Sequence, residues 1–184
     1  MAKIYTIVNQ KGGVGKTTTA INLSAYLGIL NQNVLIVDLD SQANATSCLG
    51  VDKRTIKSGT YEVLIGAAAI GPQVLRNPRY KISLLPSSPA LAGAEVELIE
   101  MEKREFRLRE ALNAISSRYD YILIDCPPSL SMLTINGLAA AQDGVIIPVQ
   151  CEYLALEGLG QLSQTLNKVR ASISPELAVR GVVL

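Results

Sequence analysis

Six short stretches of this chain, residues 4–8, 34–37, 82–85, 121–124, 145–149 and 179–184, are apolar nearly throughout rather than at alternate positions. A strand of that kind has no face to give to water, so both faces must be covered. The arrangement that does this is a parallel sheet with helices packed on each side. The expected fold is therefore α/β and doubly wound, a mostly parallel sheet with helices on both faces. The intervening segments fit. After the first run, Ala20, Leu23, Leu27 and Leu30 recur at helical spacing and predict one buried stripe. Between residues 95 and 115, Leu98, Met101, Leu108, Leu112 and Ile115 keep one face apolar, and Glu105 interrupts them, which suggests two helices. Glu100/Arg104 and Glu105/Arg109 stand four apart, as solvated pairs on an exposed helical face would. Residues 51–80 read as short helical pieces broken at Gly71-Pro72 and Asn77-Pro78. In doubly wound sheets ligands bind at the carboxyl ends of strands. That rule selects residues 9–18, 38–43, 125–129 and 150–153.

The 184 residues suit a single domain able to bury a core without a staple. The chain has no histidine, which excludes Ser–His triads, histidine general bases and histidine-ligated metals. Its three cysteines, Cys48, Cys126 and Cys151, are an odd number with no CxxC spacing. They are expected to be buried thiols of a reducing compartment rather than a disulfide framework or a zinc site. No run approaches the ~18 apolar residues of a membrane span, and the apolar start is too short for a signal peptide. A cytosolic protein is expected. The formal net charge is +1, so any site for a polyanion has to be local.

The first run is followed by Lys11-Gly12-Gly13-Val14-Gly15-Lys16-Thr17-Thr18 and then by the first helical stretch. Phosphates need converging backbone N–H groups, and glycines let the backbone approach without a Cβ in the way. A helix start adds unpaired donors and the positive end of a dipole. Lys16 supplies a mobile charge for the outer phosphates, and Thr17 a hydroxyl for Mg²⁺. The sequence misses the usual P-loop pattern G-x-x-x-x-G-K-[ST] at one position, where Gln10 stands in place of the first glycine.

With Lys11 present, the loop resembles the deviant Walker A motif, K-G-G-x-x-K-T, of the ParA/MinD family of ATPases, which are SIMIBI-like P-loop NTPases. The resemblance continues through residues 37–46 (VDLDSQANAT), 85–88 (LPSS), 120–129 (DYILIDCPPS) and 148–158 (PVQCEYLALEG), and is strongest to the ParA/Soj chromosome and plasmid partition ATPases. It implies ATP and Mg²⁺ as cofactors, with residues 11–18 cradling the nucleotide. Lys16 would act on its own triphosphate, and Lys11 would reach the ATP of a second subunit. Asp40 would orient the attacking water. Asp38 and Asp125, with Thr17, would belong to the magnesium shell. Pairing the catalytic residues Lys11, Lys16 and Asp40 in this way makes hydrolysis conditional on dimerisation.

The implied activity is ATP hydrolysis that drives a homodimerisation switch. The ATP-bound dimer would bind nonspecific DNA, and a ParB-type centromere-binding partner would stimulate release, which implies a cytoplasmic, nucleoid-associated protein. The scattered cations Lys53, Arg54, Lys57, Arg76 and Arg79 define no DNA face. The alternatives on the same fold are a MinD-like membrane-cycling regulator of the division site, an iron–sulfur carrier or reductase, and an ATP-dependent synthetase. Nothing in residues 1–184 predicts membrane contact, and Cys126 and Cys151 do not fall where cluster ligands are needed. The family usually has Pro and Gly where this chain has Ser41 and Ala43, a difference that bears on loop stiffness and turnover. The resemblance also implies that residues 1–184 are one P-loop ATPase domain lacking its C-terminal elements.

Overall fold

The computed structural model describes residues 1–77, 81–152 and 155–184. Pro78, Arg79, Tyr153 and Leu154, singled out in the sequence, lie outside the described residues. In chain order, β1 (Lys3–Ile7) leads through α1 (Lys16–Ile29) to β2 (Val34–Asp38). Three short helices follow, α2 (Asn44–Cys48), α3 (Thr60–Ile65) and α4 (Ile70–Gln73), and then β3 (Leu75–Asn77) and β4 (Ile82–Leu85). Next come α5 (Leu91–Glu97), α6 (Arg107–Asn113), β5 (Tyr121–Asp125), α7 (Met132–Ala140), β6 (Gly144–Pro148), α8 (Ala155–Ser172) and β7 (Val179–Val183). The strands form one seven-stranded sheet in the order β3-β4-β2-β5-β1-β6-β7. Every pairing is parallel except that of β3 with β4.

All six apolar runs become the parallel strands, and β2 is buried along its whole length. On one face Leu35, Val37, Ile122 and Ile124 pack with Leu64, Leu91, Leu98, Leu108, Leu138 and Leu166 of the larger helical layer. On the other, Ile7, Val34 and Leu123 meet α1, and Ile36, Ile82 and Leu84 meet Ala45 of α2. β3 is the strand that the apolar pattern does not signal. It is exposed at all three positions and forms an antiparallel edge on β4.

Three local expectations are corrected. The residues of α1 that are fully covered are Lys16, Ala20, Ser24 and Gly28, with Leu23 and Leu27 half-buried beside them and Leu30 68% exposed past the helix end. Small side chains let the helix lie close to the sheet, and the leucines flank that contact. Two helices, α5 and α6, form around residues 95–115 as the interruption at Glu105 suggested, but the first ends at Glu97, short of Leu98 and Met101. Two 3₁₀ turns, Leu98–Glu100 and Arg104–Phe106, are separated by Lys103 at φ +51°. Neither four-apart ion pair therefore forms among the described residues; Arg104 pairs with adjacent Glu105 at 3.1 Å and donates to the Ile99 carbonyl at 2.7 Å. Of the cysteines, Cys126 alone is buried; Cys48 and Cys151 are exposed, because they sit at the end of α2 and in the loop after β6 rather than in the sheet.

From β1 the chain moves to β2 on one side of the sheet, and from β6 to β7 on the other. The strand order reverses between β1 and β6, which places a crevice at their carboxyl ends. No described helix is long and apolar enough to cross a membrane.

Candidate functional site

The loop between β1 and α1 lies at that crevice. Gly13 and Gly15 adopt φ of +75° and +91°, the left-handed region that a side chain disfavours. A Cβ added at Gly12, Gly13 or Gly15 would meet nothing within 4 Å, so the loop backbone borders open space on the side where side chains are missing. Helix α1 starts with no side-chain cap and no acidic residue in its first turn. Its leading N–H groups are left for an anion. The loop is held from the β6 side: the Asn9 amide donates to the Pro148 carbonyl at 2.7 Å and accepts the Lys11 N–H at 3.0 Å. The Gln150 amide donates to the Gly13 carbonyl at 3.1 Å.

Lys16 is 8% exposed, and its Nζ donates to the Lys11 carbonyl at 3.0 Å, inside the curve of the loop. Burial lowers its pKa, while the neighbouring carboxylates of Asp125 and Asp40 oppose that shift. The Thr17 hydroxyl donates to Asp125 Oδ2 at 2.7 Å. Asp125 Oδ1 is buried without a hydrogen-bond partner among the described residues. Burial raises the Asp125 carboxyl to about 7; Asp38 and Asp40 add to the rise, and Thr17 and Lys16 oppose it. Val14 is buried, and Thr18 borders the cavity.

Asp38 stands opposite Asp125 in the β2–β5 register. It is fully buried; its Oδ2 accepts both the N–H and the hydroxyl of Thr46, at 2.8 and 2.7 Å, and its Oδ1 accepts the Asp40 N–H at 3.2 Å. Burial lifts this carboxyl to about 6 against those hydrogen bonds. Asp40, half-buried at the mouth, accepts among the described residues only the nearby Gln42 N–H through Oδ1, at 2.9 Å. The turn that follows places Ala43 at φ +52°, so the position where the family usually has glycine is in the left-handed region here.

Lys16, Thr17, Thr18, Asp40 and the three loop glycines thus line one cavity of about 450 Å³, and Thr17 ties that lining to the buried Asp125. Lys11 lies at the rim, its Nζ 2.8 Å from Glu152 Oε2, and both side chains are partly exposed. A larger cleft of about 570 Å³, among Asn33, Arg76 and Lys81, opens at the opposite end of the strands, so size alone does not select the site. Sequence reasoning assigned no role to Asn9, Gln150, Glu152, Thr46 or Ser87. The rule of strand carboxyl ends would have found Ser87, which follows β4, had that end been counted with the others.

These residues fit a magnesium–triphosphate group. The glycine backbone leaves room for phosphates, and the partnerless Asp125 oxygen beside a threonine hydroxyl is a hard oxygen set. Among the described residues no group of three acidic or thiol side chains forms a ready-made metal cage. Magnesium is commonly held by one or two carboxylates together with substrate phosphates.

Residues 2–179 match a protein family described as an AAA domain. The chromosome partitioning protein ParA of Myxococcus xanthus is 51% identical over 187 residues, covering 100% of this chain and 65% of that protein. The sporulation initiation inhibitor protein Soj of Bacillus subtilis is 48% identical over 184 residues, covering 100% of this chain and 72% of the relative. Among solved structures, a cobyrinic acid a,c-diamide synthase from Mycobacterium smegmatis with bound ADP and magnesium is similar at a TM-score of 0.93 and 40% identity, over 99% of this chain and 72% of its own.

Proposed function

This chain belongs to the AAA-domain family and is a ParA/Soj-like P-loop ATPase, and on that premise we propose that it is a dimerisation switch, driven by ATP hydrolysis, that partitions DNA. The observation that carries the proposal is the Thr17–Asp125 pair, with one buried carboxylate oxygen left over, beside a glycine cradle that also holds Lys16.

Cleaving a γ-phosphate is mainly positioning and charge stabilisation. The amides of residues 12–18 bind the phosphate oxygens, and Lys16, already inside the loop, exchanges the Lys11 carbonyl for them. Thr17 and Asp125 would hold Mg²⁺, which when bound offsets charge on the phosphate oxygens. Asp40, at the mouth with a carboxylate little engaged by the protein, orients the attacking water. Asp38 belongs behind this shell as the anchor of the loop that carries Asp40, since its oxygens are taken up by Thr46 and Asp40.

Lys11 is the residue that acts in trans. Its pair with Glu152 is solvent-exposed, and such pairs are worth little, so a partner's triphosphate displaces it readily. An ATP-bound homodimer would then bind DNA through its phosphates, each contact adding a counterion-release contribution, and a ParB-type protein would trigger hydrolysis. The M. xanthus and B. subtilis relatives, at 51% and 48% identity, are more similar to this chain than the synthase at 40%, which favours the partition reading over a biosynthetic one. The test is Lys11→Ala. It should bind ATP with parental affinity, remain monomeric with ATP in light scattering, and lose turnover by roughly 10³-fold, as removal of a charge supplied in trans does. A variant that dimerises and hydrolyses ATP like the parent would overturn the switch.

A further inference from the structure

The carboxylate of Asp40 has almost nothing of its own to hold it. Its Oδ1 accepts the Gln42 N–H, a contact within the same exposed turn. The aim of the side chain therefore depends on how the Asp40 backbone is fixed, and three bonds fix it. Its N–H donates to Asp38 Oδ1 at 3.2 Å, and its carbonyl accepts the Ala43 N–H at 2.8 Å and the Ser87 hydroxyl at 2.7 Å. The first two bonds are local to the loop. The third comes from the loop after β4, 47 residues away.

We propose that Ser87 is a positioning residue for ATP hydrolysis, holding the Asp40 main chain, and through it the water-orienting carboxylate, against the sheet. The inference rests on the role given to Asp40 above. Ser87 is 1% exposed, so water has no access to replace its bond. It is itself fixed on its other side, because its N–H donates to the Thr46 hydroxyl at 2.9 Å, and that hydroxyl donates to Asp38 Oδ2. Ser87 and Thr46 thus tie the ends of β2 and β4 together, and a neighbouring hydroxyl, that of Thr60, bridges the carbonyls of Asp38 and Pro86. A frame of buried hydroxyls surrounds one loop, and Asp40, the acidic residue with which that loop lines the cavity, is suspended from it.

The geometry separates this role from simple stability. If the Ser87 hydroxyl is removed, the Asp40 carbonyl still accepts the Ala43 N–H, so no buried group is left unpaired. The loop loses its register to the sheet, while the phosphate cradle, built on β1, α1 and the β6 loop, is untouched. Small displacements of a catalytic group have large rate consequences.

The experiment is steady-state and single-turnover hydrolysis of ATP with magnesium by the parent, Ser87→Ala, Ser87→Cys, Asp40→Ala and the Ser87→Ala/Asp40→Ala double variant, each checked by thermal melting. Ser87→Ala should melt within about 3 °C of the parent, keep the parental KM and lose roughly tenfold in kcat. Ser87→Cys, a weaker donor whose larger sulfur must stand farther from the Asp40 carbonyl, should fall between the two, and it carries the test if the alanine variant does not fold. In the Asp40→Ala background, Ser87→Ala should cause no further loss. Parental kcat in Ser87→Ala beside a dead Asp40→Ala would overturn the positioning role alone, as would a rise in KM with kcat unchanged. Parental turnover in Asp40→Ala would remove the reading on which it rests.

Discussion

The ends of β2 and β5 lie side by side in register, each closing on an aspartate that is almost wholly buried, yet the two carboxylates are in opposite situations. Asp38 has each oxygen engaged by the protein, through Thr46 and the Asp40 N–H. Asp125 gives one oxygen to the Thr17 hydroxyl and has the other unpartnered among the described residues. Residue type, strand position and burial are shared; acceptor occupancy is not. A buried carboxylate that is fully hydrogen-bonded acts as architecture, and one with an oxygen left over acts toward a ligand.

Conservative amide substitutions break the comparison most directly. Asp125→Asn should lower ATP turnover by roughly 10²-fold, since in the proposed site the charge it removes belongs to the magnesium shell. It should leave the loop carrying Asp40 in place. Asp38→Asn should do the reverse. Its amide places a donor against the Thr46 N–H, so the unfolding free energy should drop by about 2 kcal/mol, with a smaller loss of turnover that follows the loosened loop. Urea denaturation and initial-rate assays on the two variants read both effects. Equal losses of stability and activity in the two would erase the distinction.

A pH series sharpens the same contrast with a smaller effect. Burial raises both carboxyls, Asp125 to about 7 and Asp38 to about 6. The folded chain therefore keeps protons that the unfolded chain has released, and stability falls as pH rises from about 4 toward 7. Each such group contributes a slope of up to about 1.4 kcal/mol per pH unit. The chain has no histidine, so no imidazole titrates across this window. Denaturant midpoints without nucleotide should decline through the range, and Asp125→Asn should flatten the upper part of the decline. Midpoints that climb from pH 4 to 7 would show that the carboxyls ionise more easily folded than unfolded.

The centre of the sheet was legible because β2, β4 and β5 are buried almost throughout, so runs such as 34–37 and 121–124 have no polar interruption to blur them. The run at 179–184 also forms a strand, β7, but at the edge and exposed at all five positions rather than covered on both faces. β3 was not legible, because Leu75, Arg76 and Asn77 are exposed and owe their strand to the free edge of β4. The phosphate loop was legible because its chemistry is contiguous: glycines, lysine and threonine act where they stand in the chain. The support for Asp40 was not, because it comes from separate segments: Ser87 bonds the Asp40 carbonyl, while Thr46 and Thr60 bond Asp38 beside it, and neither the resemblance at 37–46 nor that at 85–88 says which hydroxyl holds which group. Glu152 fell within the segment 150–153 that the strand-end rule selects, yet for the same reason its pairing with Lys11, 141 residues away, was not legible before the fold brought the two together. Local spacing reveals groups that touch the ligand, and long-range hydrogen bonds supply the groups that aim them.

Calorimetric binding of ATP across a magnesium titration, with the parent, Asp38→Asn and Asp125→Asn, addresses the assignment at its root. The parent and Asp38→Asn should bind more tightly as magnesium is added, and Asp125→Asn should lose that gain by about tenfold or more, since the proposed magnesium ligand loses its carboxylate charge. A magnesium-dependent gain that survives in Asp125→Asn and vanishes in Asp38→Asn would contradict it.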